Sequence, residues 1–144
     1  MELKMYSMVM YNLSPIQQGI QSMHSIVETV NEVKNPNSIN YELFKEWAKN
    51  WKTVIILNGG SSLSVEEYLY TLRKRKIGVT YFREPDLNDA ISAISFIVDE
   101  RVFNKTKYPD FGVDLEVGYH EWVTNIGGSN NEFLREWLPQ FKLA

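Results

Sequence analysis

Between Ile16 and Val30 the apolar residues Ile16, Ile20, Met23, Val27 and Val30 recur at spacings of four and three. That rhythm predicts a helix with one buried stripe. Ser14-Pro15 supplies a cap and a proline at the first helical position, and Asn35-Pro36-Asn37 ends the run. Upstream, Lys4–Tyr11 is rich in methionine, tyrosine and valine and predicts a first strand. A second helix is expected over Tyr41–Asn50, with Leu43, Phe44 and Trp47 as its apolar side. The continuous β-branched run Thr53–Leu57 predicts a strand buried on both faces. Ser64-Val65-Glu66-Glu67 reads as a capping box opening a helix through about Lys76, which Gly78 is placed to end. Short strands are expected at Val79–Arg83 and Ile91–Val98, joined by a polar turn, Glu84–Asp89. That short link implies an antiparallel partner in the sheet.

Beyond residue 100 the pattern becomes irregular, with Tyr108, Phe111, Tyr119 and Trp122 scattered among prolines and glycines. This stretch predicts a long excursion packed on the core, with room for a short hairpin. Ser129-Asn130-Asn131-Glu132 reads as a second capping box, opening a final helix that turns Phe133, Leu134, Trp137, Leu138 and Phe141 inward. Alternating strands and helices predict an α/β fold: three layers, a four-stranded mixed sheet flanked by helices, then an irregular extension and a last helix. The 144 residues suit a single domain, with 1–99 as its core and 100–144 as the extension.

Composition narrows the chemistry. There is no cysteine, which removes disulfides, thiolate metal sites and thiol catalysis. The two histidines, His24 and His120, are far apart and form no helical pair, so no metal site is expected. A net charge of −3 offers no global basic field to a long nucleic acid. The basic run Arg73–Lys76 complements the C-terminal end of a helix. Apolar runs are strand-sized, and Met1-Glu2-Leu3-Lys4 lacks the apolar block of a secretory signal, so a cytoplasmic protein without membrane contact is expected.

Four stretches carry candidate chemistry. Gln17, Gln21 and His24 share one side of the first helix, either as a solvated face or as a ligand-binding stripe. Asn58-Gly59-Gly60-Ser61-Ser62 lies between a strand and a helix start; it is either a tight turn or an anion cradle, and it lacks the Gly-Lys-Ser/Thr ending of a P-loop. Arg83-Glu84-Pro85-Asp86-Leu87-Asn88-Asp89 could be a polar turn with an internal ion pair. It could equally be a clamp for a carboxylate or phosphate, with Asp86 or Asp89 as a general base. The aromatic stretch around His120, Glu121 and Trp122 could stack on a base or simply anchor its loop.

Taken in order, Gln21-Ser22-Met23-His24 on a first helix, a tryptophan-bearing second helix, a buried strand, and Arg83-Glu84-Pro85-Asp86-Leu87-Asn88 before the strand Ala93–Ile97 resemble the type II peptidyl-tRNA hydrolases over residues 4–99. Gly19-Ile20-Gln21 together with Phe82–Leu87 is also similar to a branch of small tailed-phage proteins. The resemblance implies that family's fold, a homo-oligomer, and a site that meets the 3′ end of tRNA. The departures are chemical. The family's Gly-Lys-Gly-Lys-like stretch is replaced by Asn12-Leu13-Ser14-Pro15-Ile16-Gln17-Gln18-Gly19, without lysine. Gln17 falls near the lysine position, Asp86 and Asn88 stand for the usual Gly and Thr, and the basic tRNA-holding surface is not reproduced. Losing an oxyanion-stabilising cation costs roughly a hundredfold to a thousandfold in rate.

The expected function is therefore binding without efficient catalysis. The ligand would be a small phosphorylated or ribosylated nucleotide, held by Gln17, Gln21, His24, Asn58, Gly59, Gly60, Ser61, Ser62, Arg83, Glu84 and Asn88 with no cofactor. The phage resemblance implies a factor acting in the host cytoplasm to sequester a nucleotide immune signal. One alternative is an ester hydrolase of the family, with His24 and Asp86 or Asp89 activating water. Another is a protein-interaction module using Tyr119 and Trp122.

Overall fold

β1 (Leu3–Val9) is buried at every residue but Lys4, which identifies it as an interior strand. A computed structural model describes residues 1–144, and in it β1 lies between β2 (Val54–Asn58) and β4 (Ala90–Asp99), with β3 (Val79–Glu84) outermost. The order β2-β1-β4-β3 is mixed: β1 runs parallel to β2, and β4 runs antiparallel to both β1 and β3. The α/β architecture read from the sequence, a four-stranded mixed sheet flanked by helices, is the observed one. β4 is likewise an interior strand, buried at all but its two end residues, whereas β2 is an edge strand with Val54 exposed, not a strand covered on both faces. The outer side of β2 is paired by the chain's end: Asn58 N–H donates to Lys142 O at 2.8 Å and Ala144 N–H to Ile56 O at 3.0 Å. That pairing blunts an edge that would otherwise be open.

Two dissimilar layers cover the sheet. α3 (Ser62–Lys74) and α6 (Ser129–Trp137) close one face over an apolar cluster that includes Met8, Leu69, Ile94, Phe96, Val102 and Leu134. The residues after 100 thus contribute Val102, Leu134 and Leu138 to the main core. They hold α4 (Glu100–Phe103) and α5 (Tyr119–Asn125) and no hairpin. Leu134 and Leu138 are buried as expected, and Phe133, Trp137 and Phe141 pack against the cluster partly covered.

The other face is covered by α1 (Pro15–Glu32) and, at its far end, by α2 (Tyr41–Glu46), which continues as a π-helical turn over Trp47–Trp51. Here the predicted stripe is reversed. Ile16, Met23, Val27 and Val30 are exposed and Ile20 half-buried, while Gln21, Ser22, Ser25 and Thr29 face the sheet. They meet the sheet's own small polar residues. Ser25 Oγ lies 2.5 Å from Ser95 Oγ, Thr29 Oγ1 2.7 Å from Thr80 Oγ1, and Ser95 Oγ donates to Ser7 Oγ at 3.3 Å. Small side chains let the helix approach closely, and each hydroxyl bonded across the seam escapes the penalty of a buried unpaired group. Ser22 Oγ is the exception, with no partner.

The helix ends also differ in detail from the sequence expectation. Ser14 caps α1 as expected, accepting from Gln17 N–H at 3.3 Å. α3 starts earlier, with Ser61 rather than Ser64 as its cap, and α6 is preceded by Gly128, so Ser129 is its first residue. After α3 the left-handed residue is Lys76, at φ 60°. Gly78 instead makes room for Asn40, whose side chain a Cβ there would strike.

Candidate functional site

β1 and β2 are each followed by a helix, so the starts of α1 and α3 lie at the same end of the sheet, beyond the carboxyl ends of those strands. Antiparallel β4 brings its N-terminal end there, and β3 its C-terminal end. The connections are tied together: Tyr11 N–H donates to Gly60 O at 2.9 Å, Gly59 N–H to Val9 O at 2.7 Å, and Met10 N–H to Ser92 O at 3.0 Å. The helix-one stripe, the Gly-Gly-Ser-Ser turn and the Arg83 turn thus reach one pole of the molecule, as the topology of open α/β sheets favours.

At that pole they divide between two faces. On the α1 face, Gln21 is buried and used at both ends of its amide: Nε2 donates to Glu84 Oε2 at 2.7 Å, and Oε1 accepts from Ser92 Oγ at 2.5 Å. Ser92 reaches Gln21 because of a β-bulge. Phe82 pairs with Ala93 and Arg83 with Ile91, so Ser92 is the extra residue of β4. A bulge re-aims one side chain, and here it turns a hydroxyl toward α1. Glu84 Oε1 accepts the Asp86 N–H at 3.3 Å, which fixes the following 3-10 turn, Pro85–Leu87. His24 is half-buried, its ring 4.5 Å from that of Phe82, and its Nδ1 is buried with no partner. Gln17, one turn before Gln21, is exposed.

Arg83 lies on the opposite face. Thr80, Phe82 and Glu84 contact α1, so the alternating residues Tyr81 and Arg83 point to the α3 side. There the Arg83 guanidinium lies 4.0 Å from Glu66 on α3, donates to Asp89 O at 3.1 Å, and lies 5.6 Å from the Tyr81 ring centre. It faces away from Gln21 and His24, so the expected single cavity lined by all three does not exist. None of the main cavities is lined by Gln21, His24 or the Gly59–Ser62 turn.

The turn before α3 is more open. Asn58 Oδ1 accepts the Gly60 N–H at 2.9 Å, Gly60 takes φ 76°, and Ser61 Oγ accepts from Ser64 N–H at 3.1 Å. Ser62 Oγ donates to Ile91 O at 3.0 Å, anchoring the helix start to β4. The first helical bond is Val65 N–H to Ser61 O, so the N–H groups of Ser62 and Leu63 precede the ladder. Asn58 and Ser61 are exposed beside them, as are Asp86, Asn88 and Asp89 on the neighbouring turn. Asn88 and Asp89 both adopt left-handed backbone, at φ 54° and 57°.

Sequence reasoning missed the hydroxyl seam and Ser92. The signal was present: Ser92 and Ser95 interrupt an apolar strand, and Ser22, Ser25 and Thr29 share a side of α1. At the opposite pole, Phe111, Tyr119 and Trp122 pack on one another, and the Arg135 guanidinium lies 5.5 Å from the Trp122 ring centre. These aromatics anchor the long segment, and His120 lies at its edge against Tyr119. No group of three or more His, Asp or Glu side chains is placed to hold a metal ion, and no helix is long and apolar enough to cross a membrane.

The chain matches no protein-family model and no curated protein.

Proposed function

We propose that this is a non-catalytic binding protein for a small nucleotide-type ligand, built on a scaffold like that of the type II peptidyl-tRNA hydrolases. The observation that carries the reading is the shelf at the start of α3. Two N–H groups precede the helical ladder there, beside exposed Asn58 and Ser61, while buried Gly59 anchors the turn to Val9. Such a helix start suits a phosphate. Asn88 on the adjoining turn, and Gln17 at the start of α1, add uncharged hydrogen-bonding groups suited to a ribose or a base. Gln21, Ser92 and Glu84 act as the support beneath, holding α1 and the Glu84–Asp89 turn in register. Arg83 contributes from the α3 side, as a cation already balanced by Glu66. Sequestration of a host nucleotide signal by a phage factor is the biological form of this proposal.

Ester hydrolysis has less support. His24 packs on Phe82 without a carboxylate partner, Gln21 is committed at both ends, and no lysine occupies the loop before α1.

Isothermal titration of the intact chain with linear, cyclic and ADP-ribose-containing nucleotides tests the proposal. At least one should bind, and Asn58→Asp, which sets a carboxylate beside the helix start, should weaken it at least tenfold. Silence across the whole panel, or binding indifferent to Asn58→Asp, would overturn it.

A further inference from the structure

The sheet has two outer edges, and the chain closes only one of them. β2 is paired by Lys142 and Ala144, whereas beyond β4 no other part of the chain bonds to the backbone of Val79–Arg83 in β3. An unpaired edge presents a row of N–H and C=O groups, which proteins commonly blunt with lysine or proline. Val79-Thr80-Tyr81-Phe82 carries neither; its residues are β-branched or aromatic, the types that favour pairing. Along this edge runs an open groove of about 630 Å³, walled by Glu28 and Glu32 of α1 on one side and by Arg73 of α3 on the other.

The two walls carry opposite charge. On the α1 side Glu28 is half-buried and makes no ion pair, and Glu32, which accepts from Asn40 Nδ2 at 2.9 Å, makes none either. On the α3 side the guanidiniums of Arg73 and Arg83 lie 5.0 Å and 5.6 Å from the Tyr81 ring centre, and only Arg83 has a carboxylate, Glu66, at 4.0 Å. Successive side chains of a strand point to opposite faces, and residues paired across an edge share a face. A strand laid along β3 therefore sets the residue beside Tyr81 toward the two guanidiniums, and those beside Thr80 and Phe82 toward the two carboxylates. We propose that the β3 edge docks an extended peptide segment as an added strand, with an acidic residue beside Tyr81 and a basic residue on either side of it. The pattern reads the same in both directions, so it serves a parallel or an antiparallel strand. A second copy of the chain fits poorly. Edge-to-edge pairing of two copies places a two-fold axis perpendicular to the sheet, which sets α1 against α1 and α3 against α3, so that like charges meet.

Fluorescence anisotropy of the full chain at low salt, with the labelled peptide Thr-Val-Lys-Glu-Lys-Val-Thr, tests this. The peptide should bind about tenfold or more tightly than Thr-Val-Glu-Lys-Glu-Val-Thr, in which the charges are exchanged. Glu28→Lys combined with Arg73→Glu leaves the net charge of the chain unchanged and alters side chains without ion pairs, so it should fold, and it should erase or reverse the preference. Two further peptides carry N-methyl groups on alternate residues, in the two complementary sets. Docking as a strand requires one set to abolish binding and the other to spare it, because only one set faces the β3 ladder. The outward N–H groups of Val79–Arg83 should exchange quickly in the free chain and slow when the first peptide is added. Failure of that peptide to bind, equal affinity for both charge patterns, or a preference kept by the double variant would rule the proposal out. So would methylated peptides that behave alike, or edge amides whose protection in the free chain grows with its own concentration, as pairing with a second copy requires.

Discussion

The hydroxyl of Thr80 donates to Ser25 O at 2.8 Å, which leaves Thr29 as the donor in the 2.7 Å contact between the two threonines. Removing one partner should cost more than removing both, because the survivor is left buried and unpaired. Thr80→Val should destabilise by about 1–3 kcal/mol, and the double variant with Thr29→Val by less than the sum of the singles. A double-mutant cycle by urea denaturation measures the difference; additivity would mean that the pair is not coupled. Candidate residues were only partly legible from the sequence at this scale. Gln21 was identifiable as a polar residue on α1, but its two partners were not. Ser92 turns toward α1 only because of the bulge in β4, and a bulge is a property of strand register that residue spacing does not encode. Arg83 and Glu84 are sequence neighbours, yet alternation along β3 sends them to opposite faces. A shared motif in sequence therefore did not become a shared cavity.

Among the elements, strands and helices were legible because each has its own period and its own punctuation, as at Ser14-Pro15. Which side of α1 is buried was not. Apolar spacing identifies a face that avoids water, and the expectation that the sheet covers it fails where the sheet offers serines and threonine instead. Position within the sheet was equally hidden. Thr53–Leu57 is as apolar as an interior strand, yet β2 is at the edge, and its protection comes from residues some 85 positions later in the chain. Two outcomes belong to this scale. Deleting residues 142–144 removes the backbone partners of Asn58 and Ile56, so the exposed edge of β2 should promote self-association on heating; light scattering during thermal unfolding compares the two chains. In the turn after β2, a Cβ on Gly59 would lie 2.7 Å from Val65 Cγ2 and 3.0 Å from Val9 O. Gly59→Ala should therefore cost about 1–3 kcal/mol by overpacking, seen as a lower urea midpoint with an unchanged slope. If Gly59→Ala matches the unmodified chain, the turn has more room than this packing allows.

At the scale of the whole molecule, the segment after residue 100 is braced by charge, within itself and against Asp99 at the end of β4, as well as by apolar contact, and this sets the response to acid. Asp110 accepts from Arg135 at 2.7 Å, and that bond, with support from Lys105, holds the Asp110 carboxyl below its ordinary range. Burial pushes Asp99 upward, but hydrogen bonds from Arg101 and Asn131 outweigh it and leave its carboxyl lowered too. A carboxyl whose folded value is depressed binds fewer protons in the folded state than in the unfolded chain. Its contribution is full above the unfolded value, about 3.9, and is lost as pH falls through the lower folded value. The Arg135 side chain is only 2% exposed while that of Asp110 is 59% exposed. Protonation therefore strips a buried guanidinium of its charged partner and leaves it only the Arg101 carbonyl, although the exposed carboxylate itself is well screened. Melting temperatures should fall as pH drops from about 5 toward 2. Asp110→Asn should melt lower than the unmodified chain at pH 7, with the gap closing at the acid end, where both lack the charge. Val102, Leu134 and Leu138 share one cluster with the sheet residues Met8, Ile94 and Phe96, so acid should loosen the chain in a single transition. Calorimetry that resolves two transitions, or a gap constant across the range, would show that the Asp110–Arg135 pair does not couple the loop around Asp110 to α6 and the core beneath it.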